Sequence, residues 1–357
     1  MTDVVDGPEA TNRALDAAAL TRLLRVDRPD VEVESVEVLG ATDGSASRLR
    51  LAVTYATGRD AGLPPTIFVK RNLEWFSFPS EMYSTEVRIY RDVLPGLDIE
   101  RPAVYAIDAL GDDITFTLLM EDLSQRPGAR LGIVTEPNTV DDVAGLLDTI
   151  ATVHAAYWGG DRLDQQLPWL TPPLVNAPMR FWRDIGPRLT RRHVERGHRA
   201  PLVDRSIWTD DALWGGYERL LGVMDSGPHT LLHGDVHAGN VYYVDGSQGG
   251  LLDWQLALRG CWALDVTYIL TTALDQEQLA ANERALIDHY LTALAARGVT
   301  PPARDEAFDR YRCHVLYGVL MWLITPDGVH TDDAQIGYLT RCLTAAERLG
   351  TISALGR

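Results

Sequence analysis

The chain has 357 residues, of which 46% are hydrophobic and 23% are charged, as in ordinary globular proteins, and this composition excludes a disordered chain. Its length predicts two domains, or one domain with two lobes. The net charge of −17, from 33 basic and 50 acidic residues, argues against electrostatic binding of nucleic acid or of an anionic membrane. This charge is compatible with a cationic substrate, although an acidic proteome produces the same balance.

Cysteine usage and hydropathy indicate the compartment. The scattered cysteines Cys261, Cys313 and Cys342 form no metal-type pair and favour a reducing environment without disulfides. The acidic N-terminus lacks the apolar segment of a signal peptide. The longest strongly apolar stretch, His314 to Ile324, is too short to span a bilayer. The sequence therefore predicts a cytoplasmic protein without a membrane or nucleic-acid partner.

The first third of the chain is predicted to be β-rich. Residues 14–25 have the apolar stripe of an amphipathic helix, and Ser80 is predicted to cap a second helix that ends near Leu94. Alternating or compact apolar runs separated by turn residues predict an antiparallel meander. The predicted strands are residues 31–38, 49–55, 66–69, 103–107 and 114–120.

The rest of the chain has mainly helical patterns. A polar stretch with prolines and glycines, Glu121 to Asn138, is predicted to join the two lobes. Thr139 and Asp142 then form a capping-box-like start for a long helix. We therefore predict an α+β protein with an N-lobe of residues 1–122 and a C-lobe of residues 123–357.

One block of the second lobe breaks the helical pattern. Two short β-like runs, residues 241–244 and 250–253, flank an Asp-Gly-Ser turn. Directly before them lies Leu-His-Gly-Asp-Val-His-Ala-Gly-Asn, residues 232–240. The hairpin is expected to bring Asp253 back beside Asn240.

The spacing of these polar residues predicts phosphoryl transfer from ATP. Such a reaction needs a carboxylate to accept the hydroxyl proton and oxygen ligands that hold Mg²⁺ on the phosphates. Asp235 is the predicted catalytic base. Asn240 and Asp253 are the predicted Mg²⁺ ligands, because this hard ion takes carboxylate and amide oxygens. The predicted cofactors are therefore ATP and Mg²⁺.

Two simpler interpretations compete with this one. His233 and His237 have the spacing of zinc-binding helices, but the nearby glycines disfavour a helix and no third ligand follows at a usual spacing. The segment could also be an ordinary turn, since Asp, Gly and Asn favour turns. The Asp253-Trp254-Gln255 sequence at the end of an apolar run makes a plain turn the weaker explanation.

The motif His233 to Asn240, followed by Leu252-Asp253-Trp254-Gln255, resembles the aminoglycoside phosphotransferase and choline kinase superfamily. The Asp-Trp-Gln variant looks most like its ecdysteroid-kinase-like branch. The resemblance covers about residues 35–330 and is more specific in the second lobe. It implies a bilobal protein-kinase-like fold and a kinase that phosphorylates a small-molecule alcohol.

A kinase-like fold also needs a lysine on a strand and a glutamate on the following helix. Lys70 ends the apolar run 66–69, and Glu86 lies on the inward-leaning stripe of the next helix. We predict that Glu86 pairs with Lys70 and directs it to the α and β phosphates. Glu81 is the rival partner, although it suits the helix start better.

Two further nucleotide contacts are predicted in the first lobe. Gly44 and Ser45 lie between two predicted strands, where backbone N–H groups or a hydroxyl could approach the phosphates. The segment lacks Gly-x-Gly-x-x-Gly and resembles an ordinary hairpin turn equally well. Glu121 and Leu123 lie where the family's hinge receives adenine, which the resemblance implies for their backbone groups.

Other conspicuous residues are expected to be structural. His154 lies on an apolar helix stripe, and a lone histidine there is usually a core residue. Asp265 is expected to cap a helix or to brace the catalytic loop. The acceptor pocket is predicted to include parts of residues 168–182 and 311–324, with tryptophans that serve either the substrate or the core.

Two alternative functions remain. A protein kinase needs a long activation segment after the metal-binding aspartate. Here Asp253 is followed almost directly by a predicted helix that contains Asp265. A nucleotide-binding pseudokinase is disfavoured because Asp235, Asn240 and Asp253 are all present. Choline-like, aminoglycoside, sugar and steroid acceptors all stay open.

Overall fold

A computed structural model describes residues 15–43, 46–58, 62–72, 78–136 and 138–356. The chain divides into two compact units. The first unit contains the described residues up to Pro95 and the segment Arg101–Ala129. The second contains Gly96–Glu100 and the chain from Arg130 onwards.

The first unit is built on an antiparallel sheet, as the meander predicted. Neighbouring strands follow the order β1-β2-β3-β5-β4, and each pair is antiparallel. Four strands begin and end within three residues of their predicted bounds, whereas β1 continues five residues beyond its predicted end at residue 38. The helices and strands are α1 (Ala17–Leu24), β1 (Glu32–Asp43), β2 (Ser47–Thr57), β3 (Thr66–Asn72), α2 (Ser80–Arg88), β4 (Val104–Ala109) and β5 (Phe116–Glu121).

The core of this unit lies between α1 and one face of the sheet. Leu20 and Leu24 of α1 are fully buried against strand residues that include Ile67 and Val69. Because side chains alternate along a strand, Lys70 points to the opposite face of the sheet from Val69. The alternation of β3 therefore places one charged side chain on the face that α1 does not cover.

Helix α2 begins differently from the prediction. Pro79 occupies the N-cap position and makes no side-chain capping bond, so the prediction that Ser80 caps this helix is wrong. The Ser80 hydroxyl instead lies 3.4 Å from a carboxylate oxygen of Glu81. After Arg88 the chain continues as a π-helical turn, Ile89–Val93, and a 3₁₀ turn, Leu94–Gly96. The helical run ends at Gly96, directly after Pro95, whose missing N–H disfavours a longer helix.

The second unit is mostly helical. Its helices are α3 (Val140–Ala156), α4 (Asp161–Gln166), α5 (Ala177–Glu195), α6 (Gly216–Met224), α7 (Ala263–Ala273), α8 (Gln276–Ala296), α9 (Arg304–Ile324), α10 (Asp332–Leu349) and α11 (Thr351–Leu355). Its strands are β6 (Arg130–Leu131), β7 (His229–Leu232), β8 (Val241–Val244), β9 (Gln248–Leu251) and β10 (Leu258–Cys261).

Two of these helices form the centre of the unit. Every residue of α7 is buried, and α9 is continuously buried from Cys313 to Ile324. The capping box predicted for α3 is present, since Thr139 and Asp142 each accept a backbone hydrogen bond from the other. Within the described ranges, no helix is both long enough and apolar enough to cross a bilayer.

Short strands complete the second unit. The predicted hairpin is present as β8 and β9, in which Val241 pairs with Leu251. The second strand begins and ends about two residues earlier than predicted. The strands β6, β7 and β10 were not predicted, and β7 pairs with β10. With four residues or fewer each, they are too short to show a periodic pattern.

Candidate active site

The motif loop connects β7 to β8. β7 ends at Leu232, a 3₁₀ turn covers Ala238–Asn240, and β8 begins at Val241. The backbone N–H of Leu252 donates to the carbonyl oxygen of Asn240 at 2.9 Å. The hairpin thus brings Asp253 back next to Asn240, as the sequence predicted.

Gly234 gives the loop its sharp turn. Its φ of +80° lies in the left-handed region, which glycine adopts without steric cost. A Cβ atom at this position would lie 2.2 Å from the carbonyl oxygen of Leu256. Any other residue would therefore push the loop away from the segment after Asp253.

Asp265, in the first turn of α7, holds the turn at Gly234 in place. Its two carboxylate oxygens accept the backbone N–H groups of His233 at 2.7 Å and of Gly234 at 2.9 Å. His154 Nε2 lies 3.2 Å from the same carboxylate, and the side chains of His154 and Asp265 are fully buried. Trp262, not Asp265, is the N-cap of α7. Of the two predicted roles for Asp265, bracing the loop is therefore the observed one.

A tyrosine that the sequence analysis missed also holds the turn. The hydroxyl of Tyr317 on α9 donates to the carbonyl oxygen of Gly234 at 2.9 Å. Tyr317 is fully buried, and burial raises its pKa well above the ordinary tyrosine value. α9 is apolar on all sides in this stretch, so no periodic pattern distinguished this side chain from its neighbours.

His233 joins the loop to the segment that carries Asp253. Its Nδ1 accepts the backbone N–H of Asp235 at 3.3 Å, so the proton lies on Nε2, which donates to the carbonyl oxygen of Leu252 at 2.8 Å. Burial lowers the pKa of this ring, which keeps it neutral. With both nitrogens engaged, His233 acts as a brace in this structure.

Asp235 and Asn240 face each other across the loop. The Asn240 Nδ2 donates to the backbone carbonyl of Asp235 at 2.9 Å and to its carboxylate at 3.1 Å. The Asp235 side chain is 18% exposed, so its carboxylate is held in place while part of it still reaches solvent. Because the Asn240 amide donates with its nitrogen, its oxygen is turned away from Asp235.

Asp253 has an unusual backbone. It adopts φ +61° and ψ 70°, the left-handed conformation that non-glycine residues rarely take and that often accompanies function. A carboxylate here and an amide oxygen from Asn240 form a donor set that suits Mg²⁺. Within the described residues, no group of three or more His, Cys, Asp or Glu side chains could hold a metal ion.

His237 is enclosed by aromatic rings. Its Nδ1 accepts the backbone N–H of Gly239 at 3.0 Å, and its Nε2 lies 3.9 Å from the Asp235 carboxylate. Burial lowers the pKa of His237 to about 3, with a smaller contribution from His330. The surrounding rings are Tyr268, Trp322, His330 and Tyr338. The imidazole is therefore a neutral part of the packing beside Asp235.

The predicted ion pair of the first unit is present. Lys70 Nζ donates to Glu86 Oε1 at 2.7 Å, and their side chains are 4% and 2% exposed. In the register of the sheet, Lys70 lies between Arg48 of β2 and Leu118 of β5. Glu81 lies in the first turn of α2, where the sequence analysis also placed it.

The remaining predicted nucleotide contacts are those of Gly44, Ser45, Glu121 and Leu123. Gly44 and Ser45 lie outside the described residues. The Glu121 side chain is engaged locally, since its carboxylate accepts the backbone N–H of Ala103 at 3.1 Å and lies 3.7 Å from Arg126. Leu123 begins a 3₁₀ turn that the side chain of Asp122 caps. Their contact with adenine stays a prediction.

The tryptophans of the second unit serve mainly its core. Trp254, Trp262 and Trp322 are at most 2% exposed, and Trp182 is 8% exposed. Trp158 is half-buried. Of the two uses considered for these rings, core packing is the one observed for the buried four.

A comparison with protein-family models gives the decisive match. The phosphotransferase enzyme family, APH, matches residues 78–304, which is more than half of the chain. The chain belongs to the APH phosphotransferase family. The matched region contains Glu86 and the complete motif loop with Asp253, whereas Lys70 lies before it. A search of curated proteins found no match.

Solved structures of similar fold include two phosphotransferases and a choline kinase. Spectinomycin phosphotransferase APH(9)-Ia, solved with ADP and spectinomycin, has a TM-score of 0.55 at 15% identity, covering 95% of this chain and 100% of that one. The GDP complex of aminoglycoside 2′-phosphotransferase-IIIa has a TM-score of 0.51 at 13% identity, covering 94% and 98%. Choline kinase LicA from Streptococcus pneumoniae has a TM-score of 0.51 at 13% identity, covering 89% and 94%. The predicted α+β kinase-like fold is confirmed.

Proposed function

We propose that this APH family member transfers the γ-phosphoryl group of ATP to a hydroxyl group of a small molecule. The observation that carries the proposal is the Asp235 carboxylate. It is partly exposed, fixed by the Asn240 amide, and attached to a loop whose turn is clamped by the buried Asp265. Such pre-organisation is what a catalytic base requires.

In the proposed reaction, the Asp235 carboxylate accepts the proton of the acceptor hydroxyl. The hydroxyl oxygen forms a bond to the γ-phosphorus, the bond from that phosphorus to the bridging oxygen breaks, and ADP leaves. The Asn240 amide orients the carboxylate throughout, since it donates to Asp235 at 3.1 Å. His233 and His237 hold the loop and remain neutral.

Two sets of residues would hold the phosphates and the metal in this proposal. Lys70, kept in one rotamer by Glu86, would contact the α and β phosphates. Asn240, through its amide oxygen, and Asp253 would hold Mg²⁺, which neutralises charge on the phosphates when bound. Residues 1–122 would then form the nucleotide-binding part and 123–357 the part that binds metal and acceptor.

The chain after Asp253 supports a small-molecule acceptor. It passes through a 3₁₀ turn, Trp254–Leu256, and the short β10 before α7 begins at Ala263. That connection is too short for the activation segment of a protein kinase. The Asp253-Trp254-Gln255 sequence favours the ecdysteroid-kinase-like branch, which we keep as a proposal together with a cytoplasmic location.

The experiment that tests this function measures ADP release from Mg·ATP with four kinds of acceptor: choline, kanamycin, glucose and a hydroxysteroid. We expect at least one class to raise ADP release above the rate without acceptor and to yield a phosphorylated product by mass spectrometry. Nucleotide binding by calorimetry with no product from any class would instead favour a pseudokinase.

The role of Asp235 is tested with Asp235→Asn, which keeps the side-chain shape. We expect kcat to fall at least about 100-fold, because a general base commonly contributes that much, while the Kd for ATP changes less than about threefold. Asp148→Asn is the matched control, since Asp148 pairs with His289 on the surface of the second unit. A variant of Asp235 that keeps half of the wild-type activity would contradict the assignment.

A further inference from the structure

The connection between α9 and α10, Thr325–Thr331, is tied down by two buried polar side chains. Arg199 is 1% exposed and donates to the carbonyl oxygen of Leu323 at 3.2 Å and to Asp327 at 3.1 Å. It also donates to the Oε1 of Gln335. Arg199 also contacts His193 Nδ1 of α5 at 2.7 Å, so its bonds to Asp327 and Gln335 tie the connection to a buried part of the unit.

Gln335 of α10 holds the backbone near both ends of the connection. It is fully buried, and its Nε2 donates to the carbonyl oxygens of Pro326 at 3.1 Å and His330 at 3.4 Å. The amide therefore holds the backbone at His330 while its oxygen pairs with Arg199. The restraint reaches His330 directly, because one of the two carbonyl groups that this amide holds is that of His330.

The restrained residue lies close to the catalytic loop. The ring centroid of His330 is 5.2 Å from that of Trp322 and 5.7 Å from that of His237. His237 in turn has its Nε2 3.9 Å from the Asp235 carboxylate. His330 is half-buried, whereas Trp322 and His237 are almost completely buried. Of this aromatic group, His330 is therefore the ring that keeps surface for contact with a small molecule.

We propose that His330 contacts the acceptor and helps to select it, and that Arg199 and Gln335 are positioning residues that hold His330 in place. An imidazole can both donate and accept a hydrogen bond, so it would bind a second polar group of the alcohol while its ring packs on the adjacent carbon atoms. This inference rests on the proposed small-molecule kinase function, because it needs an acceptor beside Asp235.

The first test is His330→Ala, assayed with the acceptor that the choline, kanamycin, glucose and hydroxysteroid panel identifies. We expect the KM for that acceptor to rise at least tenfold, while the KM for ATP stays within twofold. His289→Ala is the matched control, since His289 lies on α8 and pairs with Asp148 at the surface. An acceptor KM that His330→Ala leaves within twofold of the wild-type value would overturn the proposal.

The second test separates positioning from stability. Gln335→Glu keeps an oxygen for Arg199 but replaces the amide donor that holds Pro326 and His330. We expect a similar rise in acceptor KM and no further rise when His330→Ala is added, whereas a loss confined to Tm would mark a purely structural role. Additive effects of the two substitutions on KM would show that Gln335 does not act through His330.

Failure of the underlying function gives a different result. Wild-type protein would then produce no phosphorylated compound with any of the four acceptors. His330 would have no acceptor to select, and the inference would fall together with the proposed function. If the wild-type protein phosphorylates an acceptor and neither His330→Ala nor Gln335→Glu changes the KM for it, only the inference is overturned.

Discussion

At the residue scale, the polar groups of the motif loop that hold Asp235 have defined partners. His233 uses both ring nitrogens, Asn240 donates twice, and Asp265 accepts two backbone N–H groups of the loop. Buried polar groups that are fully satisfied make a local structure rigid, and partly satisfied ones are costly. The loop therefore presents one partly exposed carboxylate from an otherwise fixed backbone.

The buried pair Lys70 and Glu86 allows the structural and functional roles of a residue to be separated. Lys70→Met should lower the free energy of unfolding by about 3–5 kcal/mol, because it removes the ammonium group that pairs with the buried Glu86 carboxylate. Adding Glu86→Leu should restore most of that stability, since both charges are then gone. Urea unfolding of the two variants measures this difference.

The activity of the same variants tests the role toward phosphate. ADP release should remain strongly reduced in the double variant, because stability is restored but the ammonium group is not. If the double variant turned over ATP at the wild-type rate, Lys70 would be a structural residue only.

At the element scale, the β8–β9 hairpin packs against α3 in close backbone contact. A Cβ atom on Gly145 of α3 would lie 1.9 Å from the carbonyl oxygen of Ser247, and one on Gly249 would lie 2.8 Å from the Cα of Leu146. Thr149 also donates its hydroxyl to the carbonyl oxygen of Gly249 at 2.7 Å. This close approach fixes the hairpin that brings Asp253 to Asn240.

The turn at Gly234 should be sensitive to a single methyl group. Gly234→Ala combines an unfavourable φ with a clash against Leu256, and we expect it to lower the free energy of unfolding by roughly 3 kcal/mol or more and kcat at least tenfold. Urea unfolding and ADP release measure the two effects.

Gly246 offers a matched control for that substitution. It also has a positive φ, +93°, but a Cβ there would meet nothing within 4 Å. Gly246→Ala should therefore cost only about 1 kcal/mol and leave kcat within about threefold. Equal losses in the two variants would mean that the clash with Leu256 is relieved by a small shift and has no role in the site.

At the scale of the whole molecule, buried neutral histidines should make folding sensitive to acid. Burial lowers the pKa of His314 to about 4 and that of His237 to about 3. Their ordinary value in an unfolded chain is 6.5. Because the folded pKa lies below the unfolded one, the unfolded chain binds more protons between these values, and stability is lost as the pH falls below 6.5.

The predicted change is measurable for one histidine at a time. Between pH 6.5 and 5, His314 should contribute a loss of up to roughly 2 kcal/mol in the free energy of unfolding. The buried ring has its Nδ1 2.7 Å from the carbonyl oxygen of Arg310, so His314→Gln keeps a donor there. The variant should lose less stability than wild type over this range in urea titrations, and parallel losses would contradict the pKa assignment.

The sequence was sufficient to predict the strands of the first unit, the capping box at Thr139 and the motif from His233 to Asn240. These features are local: alternation along a strand, a cap within one turn, and a hairpin that pairs Val241 with Leu251. Side-chain periodicity directly reflects which face of an element is buried, so such features are visible in single segments.

Only the tertiary structure decided how the motif is supported. Asp265 reaches the backbone of His233, Tyr317 reaches Gly234, and Gln335 holds His330, and each contact is between separate elements. α7 and much of α9 are buried on all sides, so no periodic pattern showed which of their polar atoms face the loop, and the sequence left Asp265 as either a cap or a brace. The four-residue strands β7 and β10 stabilise each other by pairing. Contacts of this kind depend on which helices and strands pack together. That packing is determined by the burial of the complete hydrophobic core and not by any single segment.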